Sequence, residues 1–213
     1  MSSKNLVIAT VASLFAVSAQ AGVITTVEAE NIWNTQQAGM TEVNFNSGST
    51  APYESVTGDY TIYDVSNNDT QSATPFGLTT GKYISVPNPT RNGSATFELD
   101  ASYDYFGMYW GSVDNYNSIA FYSGADLVQS FSGSDISPLI ANGNQSSWES
   151  NRFVNFFFND GLSYDSFIMA STNYAFETAN HAFGNQVAVP EPGTLALLGL
   201  GIVGLGMARR KRA

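Results

Sequence analysis

The feature that most constrains this chain is a run of short segments whose apolar residues recur every second position, each closed by Gly, Asn or Asp. In SATFEL (94–99), Ala95, Phe97 and Leu99 share one face while Thr96 and Glu98 share the other, the two-residue period of a half-buried strand. Similar runs start at Thr41 (TEVNFN), Asp59 (DYTIYDV), Lys82 (KYISV), Asp104 (DYFGMYW), Asn117 (NSIAFY), Asp126 (DLVQSFS), Arg152 (RFVNFFF) and Ser166 (SFIMAS). About nine strands with no alternating helices predict an all-β fold, an antiparallel β-sandwich of jelly-roll type. The pieces between them, such as Asn46-Ser47-Gly48, Arg91-Asn92-Gly93, Asn142-Gly143-Asn144 and Asp160-Gly161, supply the positive backbone angles that tight turns demand. NSIAFY-SGAD-LVQSFSG reads as a β-hairpin. TTVEAENIWNTQQAG, from Thr25, is the one place for a short helix stopped by Gly39, with a strand as the alternative.

No cysteine is present, so the fold relies on packing and thiol chemistry is excluded. The aromatic residues, 14 Phe, 11 Tyr and 3 Trp, supply the core instead. RFVNFFF is apolar on both faces, with Phe153, Asn155 and Phe157 on one and Val154, Phe156 and Phe158 on the other. Such a strand belongs inside a sheet, and Asn155 there requires a buried partner.

The two ends differ from the body. MSSKNLVIATVASLFAVSAQA combines an early Lys4, an apolar stretch from Leu6 to Val17, and Ala19-Gln20-Ala21 before Gly22, the layout of a secretory signal peptide cut by signal peptidase after Ala21. At the other end, Pro190-Glu191-Pro192 precedes an uncharged run from Leu195 to Ala208 and the basic cluster Arg209, Arg210, Lys211 and Arg212. Those 14 residues would rise about 21 Å as a helix, against a bilayer core of roughly 30 Å. That is a short membrane segment, suited to a transient hold. The chain therefore divides into a signal peptide (1–21), a β-sandwich domain (22–187) and a C-terminal segment (188–213). The body is about 165 residues long, enough to bury roughly 70% of the unfolded surface.

Five of the 8 basic residues lie in the ends, so the body holds 3 basic against 17 acidic residues, a net of −14. Such a surface repels nucleic acid and anionic lipid and attracts divalent cations. Calcium is accordingly a candidate ligand at Glu28 with Glu30, Asp100 with Asp104, and Asp126 with Asp135, although none forms an EF-hand loop. No other cofactor is expected. Gly199-Leu200-Gly201-Ile202-Val203-Gly204 spells a dinucleotide-binding pattern but lacks the strand before it and the acidic residue after it. Glycines on an apolar membrane segment explain it better. The single histidine, His181, assembles no zinc set or catalytic triad and reads as structural; no two carboxylates stand out by spacing as a glycosidase pair. Tyr109, Trp110 and Tyr116 around the turn GSVDNYN, and Trp148 in ANGNQSSWES, are candidate sugar-stacking rings.

Pro-Glu-Pro, a glycine-rich apolar run and a terminal basic cluster, in that order, closely resemble the PEP-CTERM sorting signal of exopolysaccharide-producing Gram-negative bacteria. The resemblance implies transient retention in the inner membrane with the basic cluster in the cytoplasm, then processing by an exosortase near Pro190, Glu191 and Pro192. The body is also similar to one group of PEP-CTERM surface proteins with a DYFG-x-YWGS-x-D-x-YN motif, a later NFFF and a final FE-x-DN segment. Residues 104–117 and 155–158 fit throughout, whereas Phe176-Glu177-Thr178-Ala179-Asn180 has Ala179 where the group has Asp. The expectation is a non-enzymatic exported protein, structural or adhesive in exopolysaccharide or biofilm, at the cell surface or in the extracellular matrix of a Gram-negative bacterium. The rival functions are a carbohydrate-binding module for that polysaccharide and a polysaccharide-modifying enzyme.

Overall fold

The computed structural model describes residues 22–65 and 70–186; the signal-peptide and sorting-segment readings lie outside them. Twelve strands form: β1 (Val23–Val27), β2 (Thr41–Val43), β3 (Ser55–Gly58), β4 (Thr61–Asp64), β5 (Lys82–Val86), β6 (Gly93–Tyr103), β7 (Tyr105–Trp110), β8 (Asn117–Ser123), β9 (Asp126–Ser132), β10 (Arg152–Phe158), β11 (Tyr164–Ser171) and β12 (Phe176–Gly184). The helical content of the described residues is two short 3-10 turns. All pairings are antiparallel.

The strands divide into a sandwich of two sheets. The seven-stranded sheet runs β1-β10-β7-β12-β5-β4 with β2 also paired to β12, and the five-stranded sheet runs β3-β6-β11-β8-β9. Between them lies one core to which β7 contributes Phe106, Met108 and Trp110, β6 contributes Phe97, and β11 contributes Phe167. Phe97 and Phe167 stack at 4.5 Å with their planes 7° apart, and Phe106 lies 4.6 Å from Phe167. Each buried Phe is worth about 1.5–3 kcal/mol of transfer free energy, so dense aromatic packing replaces cross-links.

The NSIAFY and LVQSFS runs form the β8–β9 hairpin, with Gly124 at a positive φ of 58° in its turn. β10 lies inside its sheet between β1 and β7. Asn155 finds its partners there: its Oδ1 accepts from the Tyr105 hydroxyl at 2.7 Å, and its Nδ2 donates to Glu28 at 2.9 Å. The segment from Thr25 forms no helix: residues 28–39 are turn and loop, and its first three residues complete β1 along β10. Its Val23, Thr25 and Val27 alternate with more exposed Ile24 and Thr26, a period of two that outweighs helix propensity once an edge is free to receive it. Three strands go beyond the nine read from the pattern: β1, β3 and β12.

The outer face of the seven-stranded sheet is covered as well. Tyr105, Tyr109 and Phe153 form a second buried cluster with Trp33, Leu78 and Trp148 from the loops above. Gly107 makes this possible. A Cβ there would meet Tyr105 Oη at 2.5 Å and Phe153 at 2.7 Å, so only glycine lets both rings cross the strand.

The described chain ends converge. Gly22 accepts from the Asn159 N–H, and Gln186 Nε2 donates to the carbonyls of Asp104 and Phe158. β7 leads away from this pole, pairing Tyr105 with Gly184 at one end and Trp110 with Thr178 at the other, a span of roughly 20 Å for six extended residues. Loops carrying residues 112–116 and 140–151 sit beyond the far end.

Candidate functional site

At that far pole the two sequence motifs meet. Trp110 ends β7, and the chain then turns through Ser112, which is held at a positive φ of 39°. Such a conformation costs a non-glycine residue about 1–3 kcal/mol. Two contacts fix it: the Ser112 N–H donates to Asn151 Oδ1 at 2.7 Å, and its hydroxyl donates to Glu177 Oε2 at 3.0 Å. Glu177, the second residue of β12, is 3% exposed and accepts the Ala73 N–H on its other oxygen at 2.9 Å. Ser112, Asp114 and Tyr116 of the first motif and Glu177 of the second line a polar recess of about 160 Å3.

Burial dominates the electrostatics here. It raises the Glu177 carboxyl to about 7, against the lowering pull of the Ala73 and Ser112 hydrogen bonds. It raises Asp114 too, with the Tyr116 hydroxyl pulling the other way. Removing a carboxylate from water favours its protonated form. Glu177 therefore exchanges its proton near neutral pH and can either donate or accept a hydrogen bond.

His181 sits within the core. Nδ1 lies 2.8 Å from the Tyr53 hydroxyl and Nε2 lies 2.7 Å from the Thr178 hydroxyl, both within hydrogen-bond distance. Desolvation lowers its pKa to about 3, so the ring stays neutral. A bulge in the β12–β7 pairing between Ala179 and Ala182 creates this arrangement. Asn180 takes a positive φ of 49°, and its amide donates to the Trp33 carbonyl at 3.0 Å. Ala179 is fully buried in the outer cluster.

The four candidate stacking rings separate. Trp110 is fully buried, stacked on Phe176 at 4.4 Å. Tyr109 is equally buried on the opposite face of β7, donating to the Phe76 carbonyl at 2.6 Å. Neither offers a ring face to a sugar, a correction with a simple cause: a neighbouring turn says nothing about the depth of the strand entering it. Tyr116 is half-buried beside the recess and donates to the Tyr174 carbonyl. Trp148 is also half-buried, its ring edge-on to Phe76 at 5.0 Å and 6.1 Å from Trp33, as a cover for the outer cluster.

Five of the six carboxylates named for calcium have other partners. Glu28 accepts from Asn155, Glu30 pairs with Arg152 at 3.1 Å, Asp100 accepts from Tyr103, and Asp104 accepts from the Gln186 N–H. Asp135 is occupied by Ser132, while Asp126 sits at the opposite end of β9. Among the described residues no three His, Cys, Asp or Glu side chains gather as a metal set. The processing residues Ala19, Ala21, Pro190, Glu191, Pro192, Arg209, Arg210, Lys211 and Arg212 lie outside the described residues; Gly22 is the first inside them.

The body is an all-β antiparallel two-sheet sandwich. Residues 188–212, just beyond it, match the PEP-CTERM protein-sorting motif, the mark of an exported protein that transits the membrane and is processed by an exosortase. No curated protein matches the chain in sequence. Among solved structures the chain is similar to CsCBM6-3 from Clostridium stercorarium, determined in complex with cellobiose, at 12% identity and a TM-score of 0.37, covering 68% of this chain and 94% of that one. That likeness is too distant to bear on this chain. Among the described residues no helix is long and apolar enough to cross a membrane.

Proposed function

We propose that this is a non-enzymatic surface or matrix protein of a Gram-negative bacterium. It is held in the inner membrane by its tail, released by exosortase, and placed in contact with extracellular polysaccharide. The observation that carries the reading is the sorting motif at residues 188–212, immediately after a sandwich whose last described residue, Gln186, is still bonded to Asp104 and Phe158. Because Gly22 and Gln186 share one pole, a tail held in lipid presents the far loops outward. The net charge of −14 on the body, 3 basic against 17 acidic residues, keeps it off anionic lipid once it is free.

In this reading Glu177 is structural, holding the strained Ser112 turn, and Asp114 is a carboxyl lining the same recess. Mass spectrometry of protein recovered outside the cells tests the sorting: the expected chain ends near Pro190–Pro192 without Arg209–Arg212. Recovery with the arginine-rich terminus intact, or confinement to the cytoplasm, overturns it. Sugar released from the host's own matrix by the wild type but not by Asp114→Asn would reverse the non-enzymatic assignment.

A further inference from the structure

The β12 bulge that buries His181 directs Asn180 to a second recess, above the seven-stranded sheet. Its volume is about 380 Å3, and ligand pockets span roughly 300–1,000 Å3. Trp33 comes from the loop after β1, Glu42 from β2, Asn44 and Asn46 from just beyond it, Thr80 from before β5, and Asn180 from β12. No basic residue lines it.

Its amides are oriented in advance. Asn46 Oδ1 accepts the Lys82 N–H at 3.0 Å, Asn44 Oδ1 accepts the Asn46 N–H at 3.1 Å, and Asn180 Nδ2 donates to the Trp33 carbonyl at 3.0 Å. Each amide spends one end on the protein. The other ends, donor Nδ2 on Asn44 and Asn46 and acceptor Oδ1 on Asn180, remain for a ligand, beside the Glu42 carboxylate and the Thr80 hydroxyl. Trp33 contributes an indole flank that is partly buried against Trp148, the rings 6.1 Å apart.

This donor and acceptor set selects by chemistry. An anion would meet the Glu42 carboxylate with no cation to offset it, and a metal ion would find a single carboxylate. A sugar hydroxyl both donates and accepts, so adjacent hydroxyls can give to Glu42 and Asn180 while taking from Asn44 and Asn46. The geometry points to a binding site for a short stretch of uncharged polysaccharide. This inference rests on, and sharpens, the reading that the protein meets extracellular polysaccharide.

Native affinity electrophoresis of the protein recovered from culture medium tests it. The gels contain the producing bacterium's own exopolysaccharide, galactomannan, dextran or hydroxyethylcellulose, with alginate as the anionic polymer. Retardation is expected in at least one uncharged polymer and not in alginate. The double variant Glu42→Ala/Asn44→Ala should bind about tenfold more weakly or worse, the loss expected for two hydrogen bonds. Thr80→Tyr, which fills the recess from an exposed position, should abolish retardation, and both variants should melt with the wild type. Wild-type retardation that both variants retain overturns the site but leaves the wider reading standing. Equal or stronger retardation in alginate overturns the ligand class. No retardation in any gel overturns the site and polysaccharide contact together.

Discussion

The two sheets share one interior and differ on their outer faces. The five-stranded sheet turns its outer face to water, so β6 and β8 alternate buried with more exposed residues. The seven-stranded sheet is roofed by loops, and β12 is buried at every position but one. Asn155 and Glu177, polar groups pulled into that second interior, have paired partners. The strands and loops brought together by the doubly covered sheet also build both recesses.

The largest effects test whether the seven-stranded sheet truly has two interiors. Phe167→Ala, in the shared core, should cost about 3–5 kcal/mol in urea unfolding. Phe153→Ala, on the outer face of β10, should cost nearly as much; a loss below about 1 kcal/mol there would mean that the roof packs too loosely to count as a core.

Acidity separates the two buried titrating groups. Glu177 is raised from 4.5 to about 7, so its contribution is complete below pH 4.5 and is lost as pH rises through 7. His181 is lowered from 6.5 to about 3, so its contribution is complete above pH 6.5 and is lost as pH falls toward 3. Between 4.5 and 6.5 the two slopes oppose each other. Glu177→Gln removes one of them. Relative to wild type, the variant's stability should then climb by roughly 1.4 kcal/mol per pH unit across that window. Parallel stability–pH curves for the two proteins would show that Glu177 does not titrate as its burial implies.

A smaller loss, about 1–3 kcal/mol, is expected for Asn155→Ala, because the Tyr105 hydroxyl and Glu28 lose their shared amide. Asn155→Asp should not restore it, since a carboxylate cannot donate to Glu28. The smallest effect belongs to the watered face: Glu98→Ala on β6 and Gln129→Ala on β9 should each change stability by less than about 0.5 kcal/mol. A cost there approaching that of Phe153→Ala would erase the distinction between the sheets.

The same contrast sets what could be read from the amino-acid order. SATFEL and NSIAFY announce their strands because one side meets water and the other meets Phe167 and its neighbours. FETANHAFG hides β12. Both of its faces are covered, its buried positions include Glu177, Thr178 and His181, and the bulge resets the alternation halfway along. Asn155 was legible as a buried amide needing a partner, since RFVNFFF leaves it nowhere polar to go. Trp110 was not legible as core. The Ser112–Glu177 contact joins residues 65 positions apart, and Asn180 meets Trp33 across 147, so neither recess leaves a local signature.

The bulge at Asn180 makes two neighbouring residues answer to different demands. His181 is committed to Tyr53 and Thr178 inside, while Asn180 faces the Trp33 loop outside. Any change that straightens this kink would flip both side chains at once, exchanging an imidazole for an amide in the hydrophobic interior. Variation in what the outer recess grips is therefore free to occur in the Trp33 and Thr80 loops but is locked at the strand, which divides the site into an adjustable rim and a fixed floor.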